Sequence, residues 1–196
     1  MIIYVSAKEV RIKTIENTLH SRGVSPERQY RIYGELFDEY QPFNYGKAVE
    51  TLDKQMEIAM LLGDKSKLND VYLKEAMLNT AAGEFLEARN DLARVDTTIF
   101  TKEQEIAYCN VQQRFWFDYD ENQKGADKSM LRKVAYYRER LLALADPSSS
   151  LSRYVTVRKY IDEKNFAQAD FINRHSLSRM DPASHDYANL AYFQAR

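Results

Sequence analysis

Asp118-x-Asp120-x-Asn122 has the oxygen-ligand spacing that opens a calcium loop, which must continue with Gly at its sixth position and Glu at its twelfth. Gln123 and Ser129 stand at those places, so the word reads as a solvated acidic turn between helices. Gly63-Asp64-Lys65-Ser66 has the residue types of a phosphate loop but lacks the upstream Gly and the Gly-Lys-Ser order. It reads as a helix stop. The single cysteine, Cys109, lies beside Tyr108 and Val111 in a helical pattern with no histidine close in sequence to act as its base. A buried structural thiol is the expectation. His20, next to Ser21-Arg22-Gly23, reads as a helix C-terminus, where the dipole favours a cation. His175 and His185 have no partner at i, i+4 and read as surface residues, not metal ligands. No catalytic residue, metal or cofactor is expected, and the chain is not read as an enzyme.

With local chemistry set aside, composition decides the class. The chain has 196 residues, 44% hydrophobic and 29% charged, which fits one soluble globular domain. Six Gly and four Pro are too few for a sandwich or barrel, which turns every ~8–12 residues. A net charge of −1 supplies no field for gathering phosphates, so nucleic acid is not an expected partner of this segment. The longest uncharged apolar runs, Met1 to Val5, Ile58 to Leu62 and Leu141 to Ala145, are far below the ~20 residues of a membrane-spanning helix. Lys8, Glu9, Arg11 and Lys13 interrupt the start before a secretory leader could form. At the other end, His185 to Arg196 reads as a helix with no C-cap, as if cut from something longer.

The elements follow from periodicity. Ser25-Pro26-Glu27 combines an N-cap, a first-turn Pro and a first-turn acid, and Tyr30, Tyr33, Gly34 and Phe37 then share one helical face. After a turn at Gln41-Pro42-Phe43-Asn44, Tyr45, Ala48, Val49, Leu52, Met56 and Ala59 continue a second helix, which Gly63-Asp64 ends. Leu68, Tyr72, Ala76 and Asn79 mark the packed face of a third, and Phe85, Ala88, Leu92 and Val95 that of a fourth beyond Ala82-Gly83. The word aromatic-x-x-Ala opens the second helix of a hairpin at Tyr45, Phe85 and Phe166, with its alanines 40 and then 81 residues apart. A degenerate copy should lie between, its small residue at Ala126 or Ser129, with a partner helix from Thr101 to about Tyr119. The small residue lets two helices approach while the aromatic fills the space beside it. Tyr30, Tyr33, Phe37, Tyr72, Phe85, Tyr108, Phe115 and Phe166 are accordingly assigned to packing.

Gly83-Glu84-Phe85-Leu86-Glu87-Ala88 resembles the turn of a tetratricopeptide repeat (TPR), and Tyr30, Tyr33, Gly34 and Phe37 resemble its first-helix signature. The period is stretched to about 40, and Phe43 and Lys164 replace the turn glycine. The resemblance implies an all-α, TPR-like α-α superhelix, a right-handed solenoid of antiparallel hairpins. Residues 1–24 would be an N-terminal helix and residues 25–196 a repeat domain of about four hairpins, truncated in its last helix. Tyr4-x3-Lys8-Glu9-x-Arg11-Ile12, Leu36-Phe37-Asp38-Glu39-Tyr40, Leu52-x3-Met56-Glu57-Ile58-Ala59 and Leu141-x-x-Leu144-x-Asp146-Pro147 are further similar to the extracytoplasmic part of membrane-anchored TPR transcriptional regulators of Gram-negative bacteria. That resemblance implies a periplasmic, non-catalytic sensing and protein-interaction domain. The alternative is a cytosolic TPR adaptor or scaffold.

In such arrays the ligand-binding surface is the concave side of the first helices. With Tyr30 and Tyr72 packed, the adjacent face offers Arg28, Arg31, Glu35 and Asp38 from the first hairpin and Asp70, Leu73, Met77 and Thr80 from the second. This mixed polar face with a few apolar anchors suits a peptide or protein segment. Tyr187, Leu190, Ala191 and Phe193 form an apolar stripe whose cover is expected from self-association.

Overall fold

The computed structural model describes residues 2–19, 21, 23–123, 127–180 and 187, with side chains from Lys8 on. Nine α-helices and no strand occur among the described residues: α1 (Ile2–Leu19), α2 (Pro26–Tyr40), α3 (Tyr45–Leu62), α4 (Lys65–Ala82), α5 (Phe85–Arg94), α6 (Lys102–Asn122), α7 (Lys128–Leu144), α8 (Ser150–Asp162) and α9 (Phe166–Leu177). The chain divides into two compact units, Met1–Val134 and Ala135–Arg196.

Helix boundaries in the first unit fall where capping chemistry places them. The Ser25 hydroxyl accepts the Arg28 N–H at 3.3 Å, and the Asn44 and Asp64 side chains accept the N–H groups of Lys47 and Lys67, each at 3.1 Å. Gly63 and Gly83 end α3 and α4 with φ of 62° and 82°, a left-handed conformation that a side chain resists. Gly63-Asp64 thus stops one helix and caps the next. Thr101 and Gln104 form a reciprocal capping box at the start of α6.

The recurring alanines behave as expected: Ala48 and Ala88 are wholly buried and Ala169 nearly so. Their aromatic companions do not all follow. Phe85 packs edge-on against Phe115 and Tyr119, whereas Tyr45 is 48% and Phe166 is 62% exposed. The packing assignment of Phe166 is therefore corrected: it opens α9 on the solvent side, and only the alanine must fit between helices. Ser129 is also exposed, its amide bonded to Asp127, so it is not the small packing residue of the third copy. Ala126 lies outside the described residues. Asp118, Asp120 and Asn122 are helical, because α6 runs to Asn122; the expected acidic turn is its last turns, with Asp118 paired to Arg114 and Asp120 buried.

The core of the first unit joins Ile12 of α1, Tyr30, Leu36 and Phe37 of α2, Leu52 and Ile58 of α3, and Val71 and Leu78 of α4. Much of the rest is clasped by amides. Asn69, 2% exposed, donates to the Asp96 carbonyl and accepts the Asp96 N–H, both at 2.9 Å, and so ties α4 to the segment after α5. Cys109 is fully buried.

In the second unit, Val157 of α8 meets Ala169 and Leu177 of α9. Arg138 of α7, its side chain 8% exposed, donates to Asp162 at the end of α8 at 2.8 Å. Tyr187, half-buried, packs against this same cluster. Leu190, Ala191 and Phe193 lie outside the described residues, as do His20 and His185.

Two outcomes follow from these clasps. Asn69→Ala removes both bonds, empties a buried amide site and leaves the half-buried Asp96 N–H and carbonyl without that partner, and should lower unfolding free energy by about 2 kcal/mol in urea titrations. Asp162→Ala leaves the Arg138 guanidinium buried without its carboxylate, and a loss of about 3 kcal/mol is expected in the same assay.

Candidate functional site

Arg28, Arg31, Glu35 and Asp38 fall at helical spacing on α2, and all four are exposed, forming a charged stripe as the sequence predicts. On α4 the expectation holds only in part. Asp70 and Met77 are half-buried, while Leu73 and Thr80 are 3% and 2% exposed. Both are corrected from surface to interior residues. The reason is the place of α4, which packs against α3, α5 and α6 and also receives Tyr30 from α2, so it has no wide free face. The Thr80 hydroxyl donates back to the Ala76 carbonyl at 2.7 Å and needs no outside partner.

The first helices of successive hairpins meet at Asp70. Tyr30 of α2 donates its hydroxyl to the Lys67 carbonyl at 3.0 Å and to the Asp70 carboxylate at 3.4 Å. From α6, Gln104 Nε2 donates to the other Asp70 oxygen at 2.7 Å and to Ser66 O and Oγ at 2.8 and 2.9 Å. Burial and the adjacent Asp70 charge push the Tyr30 phenol well above its ordinary value, so it stays a neutral donor.

One turn further along, the Gln55 amide of α3 reaches under α2. It donates to the Tyr30 carbonyl at 3.0 Å and accepts from Lys74 at 3.3 Å, and the Lys74 ammonium lies 5.2 Å from the centre of the Phe37 ring. Gly34 makes this possible. A Cβ there would stand 2.9 Å from Gln55 Nε2 and 3.3 Å from Lys74 Nζ. Burial lowers the Lys74 pKa, against the pull of Asp38 and Asp70. Asp38 is exposed as a residue, yet the protein around its carboxyl raises its pKa, with Lys74 opposing the rise. The face is therefore a charged stripe on α2 beside a desolvated ammonium on α4, over a floor of buried amides. It presents charges of both signs and hydrogen-bonding groups.

Lys74, Gln55 and Gln104 were not singled out in the sequence. Gln104 could have been, since its N3 position after Thr101 is a capping-box signature; Lys74 and Gln55 meet only through tertiary packing.

Helical hairpins with short capped turns, a buried alanine opening the second helix and a polar face on the first define a TPR-like protein-interaction fold, a type of fold that is typically non-catalytic. The family model described as the SusR N-terminal TPR domain matches residues 2–196, and the chain belongs to that family. No curated protein and no solved structure matches the chain. No helix among the described residues is long and apolar enough to cross a membrane.

Gly34→Val should displace the Gln55 amide and cost about 2 kcal/mol of stability by denaturant unfolding, since the amide is 2% exposed and cannot swing into water.

Proposed function

We propose that this chain is the extracytoplasmic sensing and protein-interaction domain of a membrane-anchored transcriptional regulator, and that the α2 stripe of Arg28, Arg31, Glu35 and Asp38, with Asp70 and Met77 of α4 beside it, takes a peptide or a segment of a partner protein. The observation that carries the reading is the SusR-type family match over nearly the whole chain. The exposed, mixed-sign stripe supports a polypeptide ligand, because charges of both signs at helical spacing pair with a chain that also carries both. Binding transmits a signal only if the ligand prefers one stacking of the hairpins over another, since equal affinity for both shifts nothing.

Arg31→Glu combined with Glu35→Lys reverses the stripe without touching the core, as both residues are exposed. Partner capture in pull-downs with the full-length protein should fall at least tenfold, while circular dichroism stays unchanged. The topology is tested by reporter fusions to the full-length gene product. A domain reported outside the cytoplasmic membrane supports the sensor; a full-length protein with neither an export signal nor a membrane segment overturns it in favour of a cytosolic adaptor.

A further inference from the structure

A cleft of about 320 Å³ opens between α3, α4 and α5, away from the α2 stripe. Its base is apolar, with Val49, Leu52 and Leu78, and its rim is acidic. Asp53 comes from α3, Glu75 from α4, and Glu87 and Asp91 from α5; the cation among the lining residues is Arg94 of α5. Arg94 reaches across the rim. Its guanidinium lies 3.9 Å from the centre of the Tyr72 ring on α4, and its Nη1 stands 3.3 Å from Glu75 Oε2 and 3.4 Å from Asp91 Oδ1. Asp91 is fixed from its other oxygen by the Asn79 amide at 2.8 Å, and Asn79 in turn accepts the Tyr45 hydroxyl at 3.3 Å.

The two carboxylates that share Arg94 are not equivalent. Asp91 is on the same helix as Arg94, three residues away, so that pair holds nothing together across the cleft. Glu75 is on the opposite helix, and its ion pair with Arg94 spans α4 and α5. We propose that Arg94 is a proton-controlled latch between α4 and α5 at this cleft: an ionised Glu75 holds the guanidinium in an ion pair across the two helices, and a protonated Glu75 gives up that pair and leaves Arg94 to Asp91 on its own helix and to the face of the Tyr72 ring.

The surroundings set where the switch falls. Burial raises the Glu75 pKa first, then the negative charge of Asp91, with a smaller push from Asp53 across the cleft; Arg94 opposes them, and the carboxyl settles at about 7. Asp91 is also raised by burial, but its bonds to Asn79 and Arg94 pull it back, so Glu75 is the group that takes up the proton. Because the folded-state value lies above that of the unfolded chain, the associated stability is present at acid pH and is lost as pH rises towards 7.

The test uses the full 196-residue chain. Carboxyl-carbon NMR follows Glu75, and the Nε–Hε signal follows Arg94, from pH 5 to 8. A shared midpoint within about one unit of 7 is expected, and Glu75→Gln should abolish the Arg94 transition and hold its signal at the acid-pH position. The same substitution should flatten the fall in thermal midpoint between pH 5 and 8. A Glu75 midpoint in the ordinary range near 4.5, an Arg94 signal that passes through neutrality unmoved, or a transition that survives Glu75→Gln each overturns the latch. Asp53→Asn serves as a second variant should Glu75→Gln fail to fold: the Glu75 and Arg94 midpoints should move down together, and midpoints that separate overturn the latch.

Discussion

A helix surrounded by other helices cannot keep a polar stripe, and α4 is in that position. It contacts α3, α5 and α6 and takes the Tyr30 hydroxyl of α2 at its first turns. Val71 and Leu78 face the core shared with α1, α2 and α3, while Leu73 is buried outside that cluster. Polar residues that the sequence places on α4 are therefore taken inside with it. Each such residue must find a partner there, since a buried polar group left unbonded costs about 1–3 kcal/mol. Asn69 finds the Asp96 backbone, Thr80 the Ala76 carbonyl, and Asp70 both Tyr30 and Gln104. Two of these bonds join successive hairpins, since Tyr30 of α2 and Gln104 of α6 both reach Asp70 of α4, and a carboxylate held from both sides resists sliding of either neighbour.

Local signals were the most legible part of the sequence. The cap at Ser25 and the stops at Gly63 and Gly83 depend on residues within four positions of one another, so a linear reading recovers them; the caps at Asn44, Asp64 and Thr101 obey the same local rule, though the sequence reads these residues only as a turn, a helix stop and a helix start. The alanine period was legible for the same reason that it exists: close approach admits one small residue per hairpin. What was lost depends on the third dimension. An aromatic at the first position of a second helix packs only if a neighbour reaches it, as Phe115 and Tyr119 reach Phe85, whereas Phe166 stays largely exposed. Half of the expected binding face on α4 failed because periodicity predicts one buried face, whereas α4 is enclosed on several.

The α2 stripe survives because α2 is enclosed differently. Its inner face is taken up by Tyr30, Ile32, Leu36 and Phe37 against α1 and α3, which leaves the turns carrying Arg28, Arg31 and Glu35 open. Gly34 lets Gln55 pass beneath this stripe without pushing α2 away. The exposed charges and the buried amide thus belong to one arrangement, in which the amide fixes the helix and the helix presents the charges.

The two sides of α4 handle charge in opposite ways, and solvent access explains the difference. Towards α2, Lys74 is a cation drawn out of water beside two carboxylates, Asp38 and Asp70, neither in direct ion-pair contact, with the Gln55 amide and the Phe37 ring as its nearest support. Towards α5, Glu75 is an anion drawn out of water beside two other acids and one guanidinium. These residues are adjacent in sequence, so the same two turns of α4 carry a weakened cation on one side and a weakened acid on the other. Desolvation disfavours the charged form of each, and a shift of α4 that admitted water to either side would favour charging there. The α2 stripe proposed to bind a polypeptide and the acidic cleft therefore flank one helix, with Lys74 turned to the first and Glu75 to the second.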